Sequence, residues 1–401
     1  MRKLRVGVWL PDNYIPEVGG GYTYLKTLIN GLVDYEFQNA ELVFLSAKSV
    51  NISEQIQTPV FVVDNYPIHI SNPSKIDKIK NSLKKLFFLK VNKYDYHELL
   101  NAAKRKLLIE VTEKVDLIYY VTPSQVLPEI PFICTLWDIG NRSTFPFPEW
   151  STNDINEARN RHIDDEVSKA IKILVESEAG LSQAKKLLNI HLERFEIVPI
   201  FPNDLNNEEL KTVVPKGIES ESEFIHYPAQ FWPHKNHYNL LLAFTKVIRK
   251  HPNLNLYFTG SDKGNLIYIK KLIQELNITQ NVKYLGFVSD SEIKWLYKNS
   301  KGLVMPTYLG PTNMPLLEAA ALGCPVACSN LEGHMEMLVE GACFFDPASP
   351  AEIENAILKM LEEKKKPSIN NKFTLKSALQ SLDDTFAKIQ PIRFTWDKYL
   401  S

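Results

Sequence analysis

The sequence is short of several things, and each shortage closes off a class of function. It has four cysteines in 401 residues, Cys134, Cys324, Cys328 and Cys343. All four stand in apolar, strand-like contexts, which excludes a disulfide frame and suits buried thiols of a reducing compartment. No second ligand pair accompanies Cys324 and Cys328, so zinc is not expected. Net charge is nearly absent, at −1. A chain without a global positive field is not expected to take nucleic acid as its main partner. No apolar run approaches the ~20 residues of a membrane span. Val6 to Leu10, ended by Pro11-Asp12, is too short for a signal peptide and reads as a first strand, so a cytoplasmic location is expected. The fingerprint G-x-G-x-x-G is missing, and no acidic residue ends the strand Glu41 to Leu45. Both absences disfavour a nicotinamide oxidoreductase. His226, His234 and His237 have no carboxylate at ligand spacing, so no metal is expected there.

What is present suits a two-domain enzyme. The length exceeds one typical core. Apolar content of 44% and charged content of 23% are those of a soluble globular protein. Short apolar runs alternate with helical periods along most of the chain. Leu4 to Leu10, Asp116 to Val121, Pro131 to Leu136 and Ile173 to Val175 read as buried strands. Tyr22 to Val33 has helical spacing behind Gly19-Gly20-Gly21. A glycine-rich turn before a helix lets backbone approach a phosphate or sugar; it is also what a plain flexible turn looks like. The pattern resumes at Phe224 to Tyr227 and continues through Leu254 to Thr259, Val282 to Leu285, Leu303 to Met305 and Val326 to Cys328. Such alternation predicts parallel sheets covered by helices on both faces. The polar run from Asn203 to Lys216 reads as a connector.

One local charge cluster stands out. Lys75 to Lys90 carries six lysines against one aspartate, with Ile76, Ile79, Leu83, Leu86 and Phe87 at helical spacing. A basic amphipathic helix fits a membrane surface, and it equally fits a solvated helix packed by its apolar stripe.

The chain is organised around Leu303 to Ser329. A short strand ends in the loop Gly310-Pro311-Thr312-Asn313. Pro315 suits the first turn of a helix, where a missing N–H costs nothing. Leu316 to Leu322 reads as that helix, stopped by Gly323. A strand, a polar loop and a free helix N-terminus together make an anion site. Glu318, placed in the first turn, can accept hydrogen bonds from a diol.

PTYLGPTNMPLLEAAALGCPV resembles the signature of retaining GT-B glycosyltransferases, the large family of group 1 glycosyl transferases that includes sucrose and glycogen synthases. Their common form is E-G-F-G-L-P-x-L-E-A, and a G-P-T-N variant subgroup is similar here. The second glutamate of that form falls on Glu318 and implies ribose binding. The first, which commonly touches the donor sugar, falls on Gly310 and is absent. PAQFWPHKNH, Pro228 to His237, resembles the family's G-R-L-x-x-x-K. Its lysine falls on Lys235 and its arginine on Gln230. The family often has His-Asp at the end of an earlier strand; here Trp137 replaces the histidine and Asp138 remains. Backbone at Val288 corresponds to a nucleobase contact.

The resemblance implies an α/β GT-B fold, two Rossmann-like domains with parallel sheets facing across a cleft. The expected boundaries are 1–203 for the acceptor domain, 204–374 for the donor domain and 375–401 for a helix returning to the first domain. It implies transfer of a hexose from a GDP- or UDP-sugar to a saccharide or lipid-linked saccharide, with retention and without metal or cofactor. Lys235 and Asp138 are the expected catalytic residues. Gln230, Thr312, Asn313 and Met314 are expected at the diphosphate and sugar, and Gly20 and Gly21 at the cleft. Residues 75–90 would make peripheral contact with the inner face of the plasma membrane. With Gly310, Gln230 and Trp137 departing from the pattern, a non-catalytic sugar- or nucleotide-binding subunit stays open as the alternative. Phe145 to Trp150, aromatic and rigid, is a candidate acceptor wall.

Overall fold

The computed structural model describes residues 2–11, 20–46, 60–63, 108–122, 130–144, 146–218 and 221–395. The basic segment 75–90 lies outside the described residues.

Two parallel sheets organise the chain. The first contains β1 (Leu4–Leu10), β2 (Ala40–Ser46), β3 (Val60–Val62), β4 (Leu117–Tyr120), β5 (Phe132–Thr135), β6 (Lys172–Val175) and β7 (Phe195–Ile197) in the order β3-β2-β1-β4-β5-β6-β7. Further along come β8 (Phe224–Pro228), β9 (Asn255–Thr259), β10 (Val282–Tyr284), β11 (Leu303–Met305), β12 (Val326–Ser329), β13 (Leu338–Glu340), β14 (Cys343–Phe345) and β15 (Ser368–Ile369). Six of these form the second sheet, ordered β10-β9-β8-β11-β12-β14, while β13 and β15 pair antiparallel as a separate ribbon. Strands buried on both faces are nearly continuous in apolar residues, the signature of parallel sheets. β4 and β11 are buried throughout, and Val6 pairs with Leu42 on one side and Leu117 on the other. Two Rossmann-like α/β sheets, of seven and six parallel strands, are what the resemblance implies.

The chain forms two compact units: Met1–Tyr14, Glu36–Cys134 and Asp383–Ser401 make one, Ile15–Tyr35 and Thr135–Leu382 the other. In the first unit, a buried acid closes β1 onto the start of β4. Asp116 accepts from Arg2 at 2.6 Å and from Arg5 at 3.0 Å. Burial alone would raise its pKa; the hydrogen bonds from both arginines outweigh that and hold it far below the usual carboxylate range. Asp383 is also buried, and its two oxygens accept the backbone N–H groups of Gln38 and Asn39.

In the second unit, the helix His237–Lys250 buries Leu240, Leu241, Phe244 and Val247 on one face, at helical spacing. The helix Pro350–Glu363 buries Ile353, Ala356, Ile357 and Met360 likewise. The helix Asp290–Asn299 starts with a capping box between Ser289 and Glu292. Three short helices, Gly140–Ser143, Pro148–Ser151 and Ile155–Arg161, lie between β5 and β6. Among the described residues, no helix is long and apolar enough to cross a membrane.

Candidate active site

β8 and β11 are neighbours at the point where the order of the second sheet reverses. Open α/β sheets place ligands outside the carboxyl ends of strands at such a point, because the following loops part there. The loop after β8 runs to Asn236, and the loop after β11 runs to Asn313. Asn236 joins them. It takes a left-handed conformation (φ 59°), and its amide donates to the carbonyls of Pro306, at 2.9 Å, and Pro347, at 2.8 Å. Its oxygen caps the helix His237–Lys250 by accepting from Asn239 N–H.

The joint leaves Lys235 facing the end of the second loop. Lys235 Nζ donates to Asn313 Oδ1 at 3.2 Å. The amide of Asn313 is itself oriented. His334 Nδ1 donates to the carbonyl of Ser329 at 2.9 Å, so its Nε2 carries no hydrogen and accepts from Asn313 Nδ2 at 2.9 Å. Burial pushes the pKa of His334 down to about 4, which keeps this tautomer neutral. Burial also pushes Lys235 down to about 8, against the pull of Asp138 and Glu149.

Asn313 is the N-cap of the helix Met314–Ala321, with Pro315 in its first turn. The helix begins two residues earlier than the apolar pattern predicts. Glu318 therefore sits in its second turn and not its first. Glu318 is 7% exposed and accepts from Tyr297 Oη at 2.9 Å. Burial raises its pKa to about 7.

A cavity of about 810 Å³ opens over these groups. Gly21, Asp138, Gln230, Lys235, Val288, Thr312, Asn313, Met314 and Glu318 all line it. Gly20 opens the helix Gly20–Asp34 that carries Gly21. Asp138 Oδ1 accepts from Arg159 at 2.6 Å and from Gly140 N–H at 2.8 Å. Gln230 donates to Ser261 Oγ at 3.0 Å and accepts from Trp232 Nε1 at 3.0 Å, so its amide is held between its own loop and the loop after β9. Trp137 lines the same cavity, its buried Nε1 without a partner among the described residues.

Gly310 explains one departure from the family pattern. Its φ is +122°, and a Cβ there would stand 2.5 Å from Asn313 Nδ2 and 2.9 Å from the carbonyl oxygen of Thr312. The loop turns over itself at the position where the pattern has a glutamate. Gly333 holds it from below: a Cβ on Gly333 would lie 1.5 Å from the carbonyl oxygen of Pro311.

Other candidates resolve into packing. Phe147 and Trp150 are buried with Leu309, and Trp150 stacks on His234 at 6.0 Å, so these two rings are core and not an exposed wall. His234 Nδ1 donates to Glu149 Oε1 at 2.5 Å. His226 bonds Thr259 Oγ1 at 3.0 Å, and His237 is buried among Tyr227, Phe231 and Phe258. Among the described residues, no three His, Cys, Asp or Glu side chains gather as a metal site.

Glu176 is not among the expected site residues, although the loop it opens has a cleft-facing counterpart in the resembled family. It follows β6, lines the cavity, and accepts from Thr312 Oγ1 at 2.5 Å. An acidic residue at the carboxyl end of a parallel strand was the available signal.

These loops belong to a recognisable module. Residues 210–374 match the family described as glycosyl transferases group 1. The chain is 24% identical over 241 residues to O-antigen chain mannosyltransferase B of Escherichia coli, a match covering 58% of this chain and 61% of that one. It is 26% identical over 191 residues to O-antigen chain mannosyltransferase RfbU of Salmonella typhimurium, covering 48% and 51%. A Methanocaldococcus jannaschii protein described as an uncharacterized glycosyltransferase is 29% identical over 151 residues, covering 37% and 38%. The matched regions thus span between about a third and two thirds of these relatives' lengths. To solved structures the likeness is one of fold. Anabaena HepE, solved in complex with UDP and glucose, superposes with a TM-score of 0.60 at 17% identity over 98% of this chain and 99% of that one. A glycosyltransferase from Rickettsia africae reaches 0.65 at 15% identity, over 97% and 99%.

Proposed function

We propose that this chain is a retaining glycosyltransferase that moves a hexose, mannose in the first instance, from a GDP- or UDP-sugar to a saccharide or lipid-linked saccharide during assembly of a bacterial surface polysaccharide. The observation that carries this reading is the convergence of the Lys235 ammonium, the Asn313 helix start and the Glu318 carboxyl group on one cavity. A nucleoside diphosphate has the matching chemistry. Its phosphates need a fixed cation and free N–H groups, and its ribose diol needs a carboxylate. The mannosyltransferase relatives support the choice of sugar.

Negative charge grows on the departing diphosphate as the glycosidic bond breaks. A cation already in place stabilises that charge without reorganising. Lys235 and the helix N-terminus supply this stabilisation, and no metal is proposed. No carboxylate is assigned as a nucleophile. The acceptor attacks from the face the diphosphate leaves, and the leaving phosphate oxygen takes the acceptor proton.

Glu318→Gln keeps the size of the side chain and its acceptor for Tyr297 but loses the anion. Isothermal titration with GDP and UDP should show the preferred nucleotide bound about 10-fold more weakly, the worth of a charge-assisted hydrogen bond. Unchanged affinity would remove Glu318 from the ribose site. In the native protein the same affinity should rise as pH passes upward through about 7, where Glu318 ionises.

Residues 75–90 would bring the enzyme to the membrane that carries a lipid-linked acceptor. Each lysine near an anionic surface adds on the order of 1 kcal/mol. Sedimentation with phosphatidylserine vesicles should be lost when Lys78, Lys80, Lys84 and Lys85 become glutamate; equal sedimentation of both proteins contradicts the contact.

Gly310 favours a second reading, a non-catalytic nucleotide- or sugar-binding subunit, because no carboxylate stands at that position. Release of nucleoside diphosphate from GDP-mannose or UDP-glucose separates the two. The catalytic reading requires turnover, and tight binding without release supports the other.

A further inference from the structure

Glu176 has no task in the reaction outlined above, yet it is placed as a ligand-binding group. It stands at the carboxyl end of β6, is 6% exposed, and lines the cavity. Thr312 alone donates to its carboxyl group among the described residues, and no cation pairs with it there. A buried carboxyl group is costly unless its oxygens meet donors. One hydroxyl at one oxygen leaves most of that capacity unused.

Its position along the site is informative. Thr312 and Asn313 precede the helix that carries Glu318. At 1.5 Å of rise per residue, Glu318 lies roughly 7 Å along the axis from Asn313. If the pentose is held at Glu318 and the phosphates at Lys235 and Asn313, the group beyond the second phosphate lies on the Thr312 side. Glu176 is bonded to Thr312. Gly310, folded under Asn313, offers no side chain on that side.

We infer that Glu176 is a sugar-binding residue, its carboxylate accepting hydrogen bonds from hydroxyl groups of the hexose attached to the diphosphate. The inference rests on the cavity being a nucleotide-sugar site, and it goes further by naming the group that distinguishes the intact donor from the bare nucleotide. A side chain that merely stapled the loop through Thr312 would need an acceptor oxygen and no charge. Burial holds the carboxyl near neutrality, with its pKa raised to about 7, so hydroxyl donors from a sugar would favour the ionised form.

The test compares intact donors with nucleotides. Glu176→Gln keeps an acceptor for Thr312 and loses the charge; Glu176→Asp keeps the charge and withdraws it by one methylene. Binding of GDP and UDP is measured by calorimetry, and kcat/KM for GDP-mannose and UDP-glucose by release of nucleoside diphosphate. With Glu176→Gln, nucleoside diphosphate affinity should stay within about twofold while kcat/KM for the preferred donor falls about 10- to 100-fold. Glu176→Asp should recover part of that loss. If Glu176→Gln does not fold, Glu176→Asp against wild type gives the same comparison at smaller amplitude. Equal activity of the Gln variant and wild type overturns the inference and leaves a loop staple. Parallel losses for nucleotide and donor also overturn it. Failure of the wild type to bind any nucleoside diphosphate is a distinct result: it removes the site reading, and the inference with it.

Discussion

Lys235→Met lowers the rate of nucleoside diphosphate release by about 10²–10³, the usual loss when one fixed stabiliser of developing charge is removed. Affinity for the intact donor changes much less. The reason is the difference between ground state and transition state. In the bound donor the diphosphate charge is shared with the sugar linkage. At bond breaking the leaving oxygens gain charge, and Lys235 interacts most strongly then. A methionine fills the same space and keeps the burial, so packing is preserved. Single-turnover release and calorimetric donor affinity, measured on the same variant, decide the matter. Equal losses in both would contradict the leaving-group role. The pH dependence carries the same signature. Burial brings Lys235 down to about 8, so its charged form is lost as pH rises through that value. Release in the free-enzyme regime should decline above pH 8, and the Met variant should lack that limb. Bound diphosphate favours the ammonium, so saturation with donor should move the limb to higher pH.

Gly310→Glu does not restore a family-like enzyme; it destroys the site. The substitution installs the residue that the resembled pattern carries, and a comparison of sequences alone would favour it. The backbone there has φ +122°, and the new Cβ would meet Asn313 Nδ2 at 2.5 Å and the Thr312 carbonyl oxygen at 2.9 Å. A non-glycine residue in such a conformation costs about 1–3 kcal/mol before any clash is relieved. For a protein of this size that is a fall in Tm of roughly 1–4 °C. Relief of the clash must move Asn313, the partner of Lys235, so donor turnover should fall at least 100-fold, as expected when a stabilising contact is displaced. Differential scanning calorimetry and the release assay measure the two effects. A variant with native Tm and raised turnover would show that the loop can host a carboxylate after all.

The architecture was legible because parallel strands announce themselves. β1 and β11 coincide with the apolar runs Leu4–Leu10 and Leu303–Met305. The helix after Asn313 was placed two residues late. Pro315 marks a first turn, but the apolar run begins only at Leu316, whereas Asn313 occupies the N-cap position. The short helices Gly140–Ser143 and Pro148–Ser151 were not legible, since four residues are fewer than one amphipathic period reveals. Phe147 and Trp150 suit a sugar platform, though such aromatics more often pack a core; their contacts with Leu309 and His234 make them core. Lys235, Asn313 and Glu318 could be singled out because their loops follow strand ends in a known order. The orientation of Asn313 could not, because His334 stands 21 positions away and acts through a tautomer set by Ser329.

The amide of Asn236 has consequences for how tightly the site can hold what it makes. Both of its hydrogens are committed to carbonyls and its oxygen accepts from a helix N–H, so the backbone next to Lys235 is tied to three places at once. A cation mounted on so stiff a hinge keeps its distance from the product anion as well as from the substrate. If the proposed reaction holds, exit of the spent nucleotide depends on movement elsewhere in the molecule. Loosening this hinge would trade catalytic speed for faster clearance.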